Sequence, residues 1–157
     1  MTDDGSGVAS SSAGAISTAN VGTFTTSLTA SDVAGNTASK VCTYTVTYNV
    51  YYRYDTTKAG SSGSTVPIKV ELDDYFNKDV SAKNIVVTAK SVTNLATNTK
   101  TPPSSPGGTN PQMIFYVSPT NGYEYDLKTT GFRSGSYTLD FMAGNDPTTY
   151  HAPFRIK

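Results

Sequence analysis

Apolar and polar residues alternate with a period of two along most of this chain, the pattern of a sheet with one buried face. Between Gly22 and Ala30, one face carries Phe24, Thr26, Leu28 and Ala30; from Val41 onward, one face carries Cys42, Tyr44, Val46, Tyr48 and Val50. The segment Asp32-Val33-Ala34-Gly35-Asn36 between them has turn residues, so the two stretches are expected to form a hairpin. Gly60-Ser61-Ser62-Gly63-Ser64 reads as a loop, after which Val66, Ile68, Val70 and Leu72 alternate against Pro67, Lys69 and Glu71. Ile85, Val87 and Ala89 follow, and further strands are expected over 113–117, 123–128, 137–142 and 150–156. A surface loop from Asn98 to Pro111 holds Pro102, Pro103, Pro106, Gly107 and Gly108. About eight or nine short strands separated by turns imply an all-β sandwich.

Composition narrows the function classes. Charged residues make up only 15% of the 157, Tyr is frequent at 11 and Trp is absent, which suits exposed sheet better than helix. The formal net charge is zero and the 12 cations are scattered, which argues against nucleic-acid binding. No apolar run approaches the roughly 20 residues of a membrane-spanning helix, so no membrane insertion is expected. Cys42 is the single cysteine, which excludes an intramolecular disulfide and a multi-cysteine zinc site. Met1-Thr2-Asp3-Asp4 is not the basic start of a signal peptide, and the sequence reads as an excised fragment with an initiator Met.

Particular segments carry a family resemblance. Asp4-Gly5-Ser6-Gly7-Val8, Gly22-Thr23-Phe24-Thr25 and Ala30-Ser31-Asp32-Val33-Ala34-Gly35-Asn36-Thr37 resemble the C-terminal half of bacterial immunoglobulin-like repeats of the HYR or Big type. Lys58-Ala59-Gly60, Val66-Pro67-Ile68-Lys69-Val70, Tyr125-Asp126-Leu127-Lys128-Thr129-Thr130-Gly131, Gly135-Ser136-Tyr137-Thr138-Leu139 and Gly144-Asn145-Asp146-Pro147 resemble the PxKF-type module that often follows such repeats in secreted bacterial proteins. Val70 stands where that module usually has Phe, which keeps the position apolar. The resemblance implies immunoglobulin-like β-sandwiches with antiparallel sheets: a partial repeat over residues 2–50 and a full module over residues 51–157. The partial repeat is close to the roughly 40 residues below which domains rarely fold unaided, so another surface is expected to cover its core.

Few groups are suited to chemistry. His151 is the only histidine and falls on the strand face opposite Tyr150, Ala152 and Phe154, as an exposed strand residue would. No Gly-x-Ser-x-Gly elbow accompanies it, and Cys42 shares a face with Tyr44 and Val46, where a small apolar residue belongs. The acidic pairs Asp3-Asp4 and Asp73-Asp74, with Asp32 and Asn36 around the tight turn, invite calcium as the one cofactor to weigh. Turn formation explains them more simply, because Asp and Asn hydrogen-bond their own backbone and no Asp-x-Asp-x-Asp-Gly loop is present. Lys69 is weighed for an isopeptide cross-link, but alternation turns it to solvent, away from Ile68 and Val70. Tyr51, Tyr52 and Tyr54 are candidates for a ligand or interface surface, with Tyr51 and Tyr52 on opposite faces of one strand.

These readings lead to a non-catalytic extracellular or cell-surface module for spacing, display, adhesion or self-assembly, whose partner is a protein or a second copy bound through sheet edges. The alternative is a carbohydrate-binding module that takes a polysaccharide for a secreted hydrolase.

Overall fold

The computed structural model describes residues 5, 7–117 and 119–157, and every element in them is a strand, turn or loop. The strands are β1 (Val8–Ala13), β2 (Gly22–Asp32), β3 (Thr37–Val46), β4 (Asn49–Tyr52), β5 (Ala59–Gly60) and β6 (Thr65–Asp73). They continue with β7 (Val87–Asn94), β8 (Lys100–Thr101), β9 (Ile114–Tyr116), β10 (Gly122–Lys128), β11 (Gly135–Ala143) and β12 (Tyr150–Ile156). The chain divides into two compact units, Met1–Thr47 and Tyr48–Lys157.

The first unit holds one antiparallel sheet in the order β1-β2-β3. The expected hairpin is β2 and β3, whose turn closes with hydrogen bonds from the Asp32 N–H to the Asn36 carbonyl (3.0 Å) and from the Gly35 N–H to the Asp32 carbonyl (3.2 Å). Gly35 supplies the left-handed position of that turn, at φ 90°. The alternation expected to run on through Tyr48 and Val50 stops at Val46. The Tyr48 N–H donates to Asp146 (2.8 Å) and its carbonyl accepts from the Tyr150 hydroxyl (3.0 Å), so Tyr48 belongs to the second unit. Val50 follows it onto β4, which pairs with β6, and the division lies before Tyr48 rather than after Val50.

The second unit contains two sheets, β4-β6-β10-β9 and β5-β12-β11-β7-β8. Lettered in chain order, with the first strand split between sheets, these read A-B-E-D and A′-G-F-C-C′, the immunoglobulin-like arrangement. One pairing departs from the expected antiparallel pattern. β5 runs parallel to β12, because the first strand changes sheets without reversing direction and its second half lies alongside the last strand.

Ile68, Val70 and Leu72 of β6 and Tyr123, Tyr125 and Leu127 of β10 form one side of the core. Leu139 and Phe141 of β11, Ala152, Phe154 and Ile156 of β12, and Val87, Ala89 and Val92 of β7 form the other. Two wholly buried side chains, Phe141 and Leu139, lie on β11 between β7 and β12. Tyr137 stacks on Phe132 and Phe154 with ring centroids 5.2 and 5.5 Å away, and its hydroxyl donates to the Arg133 carbonyl at 2.8 Å. This is the tyrosine corner of immunoglobulin-like sandwiches, and Leu139, two residues on, stands where antibody domains carry a disulfide cysteine. Tyr137→Phe keeps the ring stack and removes the corner bond. It is expected to cost about 1 kcal/mol, read as a lower urea midpoint at unchanged slope.

Candidate functional site

In the first unit, cross-strand pairing sorts the side chains onto two faces. Phe24 pairs with Tyr44, Thr26 with Cys42 and Leu28 with Lys40 on one face. The opposite face pairs Thr23 with Thr45, Thr25 with Thr43 and Thr29 with Ser39. Hydroxyls bond across the strands there, Ser10 to Ser31 at 2.7 Å and Ser12 to Thr29 at 2.6 Å. The apolar face is thinly covered. Ala30 is the one buried apolar side chain of the unit among the described residues, and Leu28 is exposed. Cys42, expected to be buried, is only half-buried, in a unit that itself holds a single sheet. The Tyr44 hydroxyl reaches the backbone of Ser17, so the connection after β1 covers that end of the face.

β3 is an edge strand of ten residues, paired on one side with β2. Lys40 is its only charge, it contains no proline, and Val41 on it is exposed. Edge strands that avoid pairing with other chains are usually short, charged or interrupted by proline. β3 is none of these.

On the outer face of the five-stranded sheet, Asp140 is 2% exposed and collects donors from three strands. Ser91 and Thr93 donate to Oδ2 at 2.8 and 2.6 Å, Thr138 donates to Oδ1 at 2.9 Å, and His151 Nδ1 lies 2.7 Å from Oδ1. Lys100 Nζ stands 4.0 Å away. Burial alone would raise the Asp140 pKa, but the hydrogen bonds from Thr93, His151, Ser91 and Thr138 outweigh it and hold the carboxyl below its usual value. A bulge makes this possible. Asp140 pairs with Ser91 and Phe141 with Ala89, so Lys90 is passed over and Ser91 and Thr93 stand on Asp140's face while Val92 enters the core.

His151 lies outward, as expected, and the sequence analysis missed its carboxylate partner. An imidazole oriented by a buried Asp is part of a hydrolytic triad, but the Ser91 hydroxyl donates to the carboxylate rather than to the imidazole. A second buried carboxylate, Asp146, accepts from the Tyr48 and Thr148 N–H groups, both at 2.8 Å, and from the Tyr150 hydroxyl. It ties the start of the unit to its last hairpin. Here too burial raises the pKa and the hydrogen bonds, led by that of Tyr150, bring it below the usual value.

The three candidate tyrosines do not form one surface. Tyr52 and Tyr54 pack against the core and donate to the carbonyls of His151 (2.9 Å) and Pro153 (2.7 Å). Tyr51 is 54% exposed on the other face, with the Arg53 guanidinium 4.6 Å from its ring centre. Lys69 lies on the outer face beside Glu124, 3.3 Å from its carboxylate. Of the calcium candidates, Asp3 and Asp4 lie outside the described residues. Asp32 accepts from the backbone and side-chain amides of Asn36 at 2.8 and 2.7 Å, so both its oxygens close the turn. Asp74 accepts from the N–H groups of Phe76 and Lys78 and caps the β6–β7 loop. Tyr75 and Phe76, unmarked by the alternation, are 89% and 82% exposed in that loop.

No family model matches the sequence, and no curated protein or solved structure matches it.

Proposed function

We propose that the chain is a non-catalytic structural and interaction module of an extracellular or cell-surface protein, in which a closed sandwich carries a sheet that pairs with a second copy of the chain. The observation that carries this reading is β3: ten residues long, an edge, singly charged and free of proline. A two-fold pairing of β3 with its own copy would satisfy the unpaired backbone groups of both edges. The non-catalytic part is supported by the way His151 and Ser91 both spend their hydrogen bonds on Asp140. The HYR/Big and PxKF resemblance is retained within this proposal, and the A-B-E-D and A′-G-F-C-C′ strand orders support it. A polysaccharide partner has less support, because Tyr52 and Tyr54 turn to the core while Tyr51 lies on the other face.

Val41→Lys combined with Thr43→Lys tests this reading. In a β3–β3 pairing the added lysines meet like charges across the two-fold axis, and pairing is expected to weaken at least tenfold by sedimentation equilibrium. Unchanged association would remove β3 from the proposal.

A further inference from the structure

Glu71 and Asp73 both lie on the outer face of β6, two residues apart, with Val70 and Leu72 turned to the core. Asp79 joins them from within the β6–β7 loop, just past the 74–78 turn, where its backbone forms an isolated β-bridge with Asp73. Each of the three offers a carboxylate oxygen, and those oxygens all lie within 4.8 Å of one another. Asp73 is 4% exposed, and its Oδ1 has no hydrogen-bond partner. A buried carboxylate oxygen without a donor is costly, and a bound cation would relieve that cost.

We infer that Glu71, Asp73 and Asp79 form a calcium site that clamps the 74–78 turn following β6. Three oxygens within 4.8 Å of one another have a common centre no more than about 2.8 Å from each, so at most a small inward movement reaches the roughly 2.3–2.6 Å of calcium–oxygen bonds. The charge also fits. Arg53 binds Glu71 through Nε and Nη2 at 2.7 and 2.6 Å and offsets one of three negative charges, which leaves the balance a divalent cation would neutralise. Carboxylate oxygens have two acceptor positions each, so Glu71 can hold Arg53 and still ligate. All three donors are hard oxygens, which favours calcium over softer metals, and water would complete the shell. Desolvation, then Glu71 and Asp79, raise the Asp73 pKa, as expected of a carboxylate crowded by charge. Clamping Asp73 to Asp79 would fix the two ends of the 74–78 turn, which carries Tyr75 and Phe76.

The test is thermal unfolding of the full chain in EDTA and in millimolar calcium chloride, with tyrosine-sensitised terbium luminescence as a direct binding readout. The unaltered chain is expected to melt about 5 °C higher in calcium and to sensitise terbium emission that calcium displaces. Asp73→Asn should abolish both responses. In EDTA, however, it should melt above the unaltered chain, because it removes a repelled charge while keeping the shape. Asp126→Asn, which alters an exposed carboxylate on β10, should respond like the unaltered chain. The site is overturned if calcium leaves the unaltered chain's melting point unchanged, if Asp73→Asn keeps the full shift, or if magnesium at equal concentration gives the same shift.

Discussion

Phe141→Ala is expected to cost the second unit about 4 kcal/mol and to lower its melting temperature by about 15 °C or more. Phe141 is wholly buried on β11 between β7 and β12, and its ring stacks on Tyr150 with centroids 5.4 Å apart. Truncation removes the transfer free energy of the ring and leaves a cavity that two hydrogen-bonded neighbouring strands cannot close. For a unit of this size the total stability is of the order of 5–15 kcal/mol, so this one change removes a large share of it. Calorimetry of the variant beside the unaltered chain checks the figure. A loss under 1 kcal/mol would mean the core is far more compliant than its packing indicates.

Asp140→Ala is expected to cost about 3 kcal/mol, nearly as much, although it removes a polar group from the outer face. Three hydroxyls and an imidazole converge on that carboxylate, and the variant leaves the buried Thr93 and Thr138 hydroxyls without their acceptor. His151→Ala should cost far less, under about 1 kcal/mol, because its side chain is largely exposed. Acid should mimic the Asp140 change. The folded pKa values of Asp140 and Asp146 lie below the usual carboxylate value, so their contribution is fully present above the unfolded value near 4. It is lost as pH falls through the lower folded values. Chemical denaturation between pH 6 and pH 2 should show this decline, and Asp140→Ala should flatten it.

How much of this was legible in the sequence depended on whether alternation survived. β6, β11 and β12 were readable because one face of each is buried without interruption, as in Tyr137, Leu139 and Phe141. β1 was not, because Val8-Ala9-Ser10-Ser11-Ser12-Ala13 is exposed throughout and has no apolar period. β8 hides at the start of the proline-rich loop, held by two residue pairs with β7. β7 was readable only to Ala89, since the bulge at Lys90 reverses the phase and sends Val92 inward.

The side-chain groupings in the structure were hidden because they join residues from separate strands and loops. The sequence suggested Asp73 with Asp74, but Asp74 lies past the end of β6 and caps the turn, and the structure groups Asp73 with Glu71, two residues back on β6, and with Asp79 across the turn. Asp140 gains its partners from two other strands through a register that alternation does not encode. The tyrosine corner was closer to the surface of the sequence, since Tyr137 lies near the start of β11, two residues before the inward Leu139.

We propose that the first unit's sheet finds its further strand in another copy of the chain. Light scattering coupled to size-exclusion chromatography, over a hundredfold range of concentration, measures this most directly. The molar mass is expected to rise from the 16.6 kDa of one chain toward twice that value as concentration increases. A mass fixed at one chain across the whole range would contradict it.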